Sequence, residues 1–184
     1  MITEDESEGF LIDLDHAIGV DREGSSGAKG RTGTKVFMSI GFLLQSDNQS
    51  RQPHSFMDDL ESMFWLLFWI CVHYSDPSGR WVGSEYEEWN FRPPTKVASD
   101  KARLVGKERD FLMRIRPDFT DCYAPLILWI NSLRREVSPG GFRWAEEDPL
   151  LYDRMRDVLE RAVRDPLVKT DWRDGNREVG QKSN

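Results

Sequence analysis

Cysteine, histidine and clustered positive charge are all scarce in this sequence, and each scarcity removes a class of function. The two cysteines, Cys71 and Cys122, lie far apart inside apolar stretches, with no Cys-x-x-Cys or His/Cys pairing beside them. That excludes a disulfide framework and a zinc site, and leaves free buried thiols in a reducing intracellular compartment as the expectation. The three histidines, His16, His54 and His73, have no acid or nucleophile at a catalytic spacing and read as structural. Lys and Arg number 25 against 32 Asp and Glu, for a net charge of -7, and the longest basic cluster is the pair Arg134-Arg135. No nucleic-acid surface is expected from that balance. No apolar run reaches the roughly 20 residues that a membrane span needs, and the acidic opening MITEDESEG contains no signal-like segment. Glycine-rich phosphate loops, Ser-His-Asp orders and metal clusters are also missing.

Large aromatic residues are abundant: seven Trp and ten Phe in 184 residues supply a core for one domain, or one domain with a tail. The stretch that organises the rest is PHSFMDDLESMFWLLFWICVHY, Pro53 to Tyr74. Its polar front predicts a helix start, with Ser55 or Asp58 as cap and Asp59 and Glu61 where a helix N-terminus favours negative charge. From Met63 to Val72 there is no polar residue, which predicts a central helix buried on all sides.

Around it, Gly9 to Asp15 reads as a short strand leading into a turn, and residues 18 to 35 as a glycine-rich loop. Helices are expected over Val36–Leu44, Lys96–Gly106, Glu108–Ile115 and Pro117–Val137. A last one is capped by Asp148 and runs to Arg164, where Pro166 stops it. Trp81, Trp89 and Phe91 suggest that the irregular segment after the central helix lies on the core. The expected organisation is a flexible terminus over 1–9, one domain over 10–166 and a disordered polar tail over 167–184.

Three places could carry chemistry. Asp13 closes an apolar strand before a loop: it could be a Mg²⁺ ligand, and equally a turn former. Asp15 has the same two readings. Arg31-Thr32-Gly33-Thr34 followed by Phe37-Met38 could shape a peptide-binding shelf, or simply lead a loop into a helix. Asp59 could accept hydrogen bonds from a neighbouring backbone loop, or just complement the positive end of its helix.

Taken together, GFLIDLDHAI, RTGTKVFMSIGFL and HSFMDDLESMFWLLFWIC, in that order, resemble the fungal-type protein kinase family, and Trp89, Ala98 and Lys101 also fall where that family places those residues. The likeness extends over about residues 9 to 105 and is looser beyond. It implies a mainly α fold: a protein kinase-like C-terminal lobe fragment with one short strand and about six helices. It also implies transfer of the ATP γ-phosphate to a protein hydroxyl, with Mg²⁺ and ATP as cofactors and a protein substrate or partner. On this resemblance Asp13 is the metal ligand that opens the activation segment, Arg31 and Thr34 face the substrate, and Asp59 is the buried Asp of the central helix that holds the catalytic loop.

No strand lysine, paired helix glutamate or His-Arg-Asp loop stands before Asp13, so the chain is expected to be inactive alone and to act, in the alternative, as a pseudokinase-like interaction module. Gly41 stands where the family usually has a Glu that pairs with a buried Arg, which predicts a lost anchor. Without a catalytic loop over Asp59, apolar surface on the central helix should be exposed and the fold weakened.

Overall fold

The computed structural model describes residues 34–44, 55–77, 79–141 and 144–169, all within the unit Gly33–Asn184. The expected strand at Gly9–Asp15, most of the glycine-rich loop, Asp13, Asp15, Arg31, His16 and His54 lie outside these residues. What is described is mainly helical: α1 (Ile40–Leu44), α2 (Phe56–His73), α3 (Pro94–Val105), α4 (Glu108–Asp118), α5 (Ile127–Val137), α6 (Leu151–Arg164) and α7 (Pro166–Lys169). The one extended pairing among them is an isolated antiparallel bridge, Tyr74 with Trp81.

The central helix begins as its sequence demands. Ser55 is the N-cap, its hydroxyl accepting from the Met57 amide at 3.3 Å, while the Asp58 carboxylate reaches back to the Ser55 amide at 3.2 Å. This reciprocal capping box satisfies two amides that the helix itself leaves unpaired. Over its 18 residues α2 then supplies Phe64, Trp65, Phe68, Trp69, Cys71 and Val72 to the core. It packs on α5, which in turn meets α4 and α6, while α1 lies on α3. Around Phe68 the rings of Trp65, Trp89, Tyr86 and Phe119 stack or meet edge to face, with centroids 4.9 to 6.4 Å apart.

Four expectations need correction. The stretch Pro117–Val137 is two helices: α4 runs to Asp118, Phe119 turns to extended backbone, and α5 starts only after a 3-10 turn at Ala124–Leu126. Pro117 sits in the last turn of α4, and Pro125 in the 3-10 turn has no amide to continue a helix through it. The helix before Pro166 does stop at Arg164, with Asp165 extended, but it is not the last: the short α7 starts at Pro166, because a first turn tolerates a missing amide. Cys122 is exposed in the turn between α4 and α5, so only Cys71 is buried. Finally, Trp89 is on the core but Trp81 is 48% and Phe91 87% exposed.

Candidate functional site: an anchored segment on the central helix

The segment Thr34–Leu44 is built from local turns. The Phe37 amide donates to the Thr34 carbonyl at 2.9 Å and the Met38 amide to that of Lys35 at 3.3 Å. Ser39 then starts α1, its hydroxyl oxygen accepting from the Phe42 amide at 3.0 Å. A helix of five residues is too short to stand alone. Tertiary groups hold it instead.

Four hydrogen bonds fix this segment to its surroundings. The Ser39 hydroxyl donates to Asp58 Oδ1 at 2.5 Å, and the Ile40 amide to Glu61 Oε1 at 2.8 Å. Lys101 Nζ donates to the Met38 carbonyl at 2.7 Å, and Lys35 Nζ to the Arg92 carbonyl at 2.6 Å. Phe37 adds an edge-to-face contact with Trp69, centroids 5.9 Å apart. Two acids of α2 and a lysine of α3 therefore set the path of the chain between Lys35 and Ile40.

Lys101 is fully buried, its ammonium 4.4 Å above the Trp65 ring and 5.5 Å from Trp89. Burial pulls its amine down to about 7, against the pull of the Glu61 carboxylate in the other direction. Glu61 is likewise pushed up by burial, although Trp65 Nε1 and the Ile40 amide both donate to its Oε1. The two groups lie beside the same Trp65 side chain, not within ion-pair distance, and influence each other through space. Hydrogen bonds offset part of the cost of burying them: Lys101 donates to the Met38 carbonyl, and Glu61 accepts from Trp65 and Ile40.

At the far end of α2, His73 is also fully buried, stacked on Trp69 at 3.7 Å and on Trp81 at 4.6 Å. Its Nδ1 lies 3.1 Å from the Trp69 carbonyl and its Nε2 2.8 Å from Ser84 Oγ. A carbonyl only accepts, so the ring holds its proton on Nδ1 and accepts a hydrogen bond from the Ser84 hydroxyl on Nε2. Burial lowers its pKa, with the carbonyl and Glu87 opposing.

The residues singled out from the sequence fall as follows. Thr34 is exposed at the entry of the anchored segment, with Arg31 and Asp13 outside the described residues. Asp59 is exposed, and the buried acid of the pair is Asp58. Asp58 turns inward to close the capping box and receive Ser39, and the next residue lies about 100° further round the helix, facing outward. Gly41 is buried within α1, and the backbone just before it is held by Glu61 and Lys101. Neither was picked out as a site from the residues. The available signal was Lys101 itself, the one cation on the apolar face formed by Val97, Ala98, Leu104 and Val105. Among the described residues no group of three His, Cys, Asp or Glu could hold a metal ion, and no helix is long and apolar enough to cross a membrane.

The comparison that bears on this arrangement covers the first part of the chain. Residues 1–71 match the fungal protein kinase family. The matched span contains Asp13, Arg31, Thr34 and Asp59 as well as Asp58 and Glu61, and ends inside α2. Lys101, which completes the anchor of Thr34–Leu44, lies beyond it. No curated protein and no solved structure matches the chain.

Proposed function

We propose that this chain is a C-terminal-lobe portion of a fungal-type protein kinase domain, in which Thr34–Leu44 is the shelf that meets a protein substrate. The observation that carries the reading is the anchoring of that segment on Asp58, Glu61 and Lys101, directly after the span that reads as an activation segment. The family reaction is transfer of the ATP γ-phosphoryl group to a Ser or Thr hydroxyl. Arg31 and Thr34 are assigned to the protein substrate, Asp13 to Mg²⁺ and Asp59 to a neighbouring backbone loop. These four assignments rest on the family resemblance. When bound, Mg²⁺ would neutralise the charge on the ATP phosphates. What the described residues contribute is position: they hold the backbone of residues 38 to 40 against α2 and α3.

Phosphoryl transfer also requires covered phosphates and a carboxylate that orients the hydroxyl. The 184-residue polypeptide offers only Asp13 of that set, and we propose that it is silent by itself. Radiolabelled ATP with Mg²⁺ and a general protein substrate should give no transfer with the pure polypeptide, and transfer above background would overturn this. The second reading is a non-catalytic protein-interaction module, favoured by the half-exposed apolar residue Met63 beside exposed Asp59 on α2. A rise in Tm with Mg-ATP would favour the first reading, because a nucleotide site stabilises by linkage and an interaction module does not respond.

A further inference from the structure

Most arginines in the described residues are engaged. Arg92, Arg103, Arg134, Arg135, Arg154, Arg156 and Arg164 each lie within ion-pair distance of a carboxylate, and Arg161 lies over the Trp129 ring. The helix α4 departs from this pattern. Its Arg109, Arg114 and Arg116 are exposed and have no carboxylate at that distance among the described residues. Two of them border a groove of about 540 Å³, lined by Glu108, Arg109, Leu112, Met113 and Arg116. Glu108 is already engaged by Arg135, Asn131 and Arg134, of which the hydrogen bonds from Arg135 and then Asn131 do most to hold its carboxyl at about 2. Between the two guanidiniums lie half-buried Leu112 and Met113, the latter 64% exposed. In a protein of net charge -7, this is a local positive surface with an apolar centre.

We infer that this face of α4 docks an acidic amphipathic helix of a partner protein. The argument is charge complementarity in register. Arg109, Leu112, Met113 and Arg116 stand at i, i+3, i+4 and i+7, one stripe of a helix. The guanidiniums are therefore about 10 Å apart along the axis. A partner helix with acids at i and i+7 and apolar residues at i+3 and i+4 repeats that spacing with the opposite charge, and seats its apolar pair on Met113 and Leu112. The methionine side chain adapts to whichever apolar pair it meets. Desolvating the centre strengthens the flanking ion pairs, and the exposed arginines govern the rate of encounter.

The test uses the full chain and a labelled helical peptide carrying Glu at i and i+7 and Leu at i+3 and i+4, read by fluorescence anisotropy at low salt. The expected result is saturable binding that weakens as salt is raised. It should weaken about tenfold in Arg109→Glu/Arg116→Glu, and by a similar factor in Met113→Glu. All three positions are exposed, so circular dichroism and Tm should stay as in the parent chain. Met113→Glu keeps the proposal open to refutation if the double variant is unstable. Absence of peptide binding overturns the inference, as does equal binding of a peptide with Lys in place of Glu. Tighter binding of a single-stranded oligonucleotide or of phosphatidylserine vesicles than of the acidic peptide also overturns it, since the arginines would then be reading phosphate alone.

Discussion

The two faces of α2 have nearly the same hydrophobicity and very different surroundings. On one, Phe64, Trp65, Phe68 and Val72 are at most 1% exposed. On the other, Asp59, Met63, Leu66 and Ile70 recur at helical spacing; Asp59 is exposed, Met63 is 50% exposed, and Leu66 and Ile70 are half-buried. Exposure on this outer side falls along the helix until, at His73, the chain between Arg80 and Ser84 folds back and closes over it. An apolar run without a polar face therefore announces a helix with contacts on all sides, but it does not say how far along the helix those contacts reach.

Truncation should measure the difference directly. Phe68→Ala opens a cavity beneath Tyr86, Trp89 and Phe119 and should cost about 3–5 kcal/mol of unfolding free energy. Met63→Ala, on the same helix, should stay within about 1 kcal/mol. Urea denaturation of both variants reads the contrast, and equal losses would mean that the outer face is packed in solution.

The next effect concerns the polar seam that binds the anchored segment to the inner face. Lys101→Met keeps the length of the side chain over Trp65 but removes the donor to the Met38 carbonyl and leaves Glu61 without its cation. The expected cost is about 2 kcal/mol, from one unsatisfied buried carbonyl and one uncompensated acid. Amide exchange should rise at Ile40 and Phe42 before it rises in α2, since the segment is held from outside and α2 by its own helix. Glu61→Gln in the same chain should recover part of the loss, and no recovery would show that the two groups do not act as a pair.

How much of this was legible in the sequence depends on the range of the interaction. The N-cap of α2, the helical spacing of α6 and the break after Gly106 are set by residues within one turn of each other, and the sequence places them close to where they stand, though as one cap rather than a reciprocal box. Asp148 does not cap α6: the N-cap is Leu150, without a side-chain cap, and the Asp148 carboxylate accepts from the Leu150 amide in the turn before the helix at 2.9 Å. The division between α4 and α5 is hidden in the sequence, because the aromatic and aliphatic spacing runs on through Pro125, which breaks the helix. The anchor was harder still. Lys101 bonds a carbonyl 63 residues away, and nothing in its own neighbourhood says that Met38 will be there. Asp58 and Asp59 are both acids in a first turn, and both the capping box with Ser55 and the bond from distant Ser39 fall on Asp58.

The smallest effect lies at the C-terminal end of α2, where the outer face does become covered. His73 is buried as the neutral ring, with a pKa below its ordinary value of 6.5. Between the folded and unfolded pKa values the unfolded chain binds more protons, so the stability that this group contributes is complete above pH 6.5 and is lost as the pH falls below it. The slope from one such group is at most about 1.4 kcal/mol per pH unit. His73→Gln keeps a group able to reach the Ser84 hydroxyl and removes the titration. The difference in unfolding free energy between parent and variant, measured from pH 8 down to pH 5, should be flat above about 6.5 and change below it in favour of the variant. Acids such as Glu61 titrate in both chains and cancel in that difference. A difference that stays flat throughout would mean that water reaches the ring, and that the covering of α2 by Trp81 and Ser84 opens readily in solution.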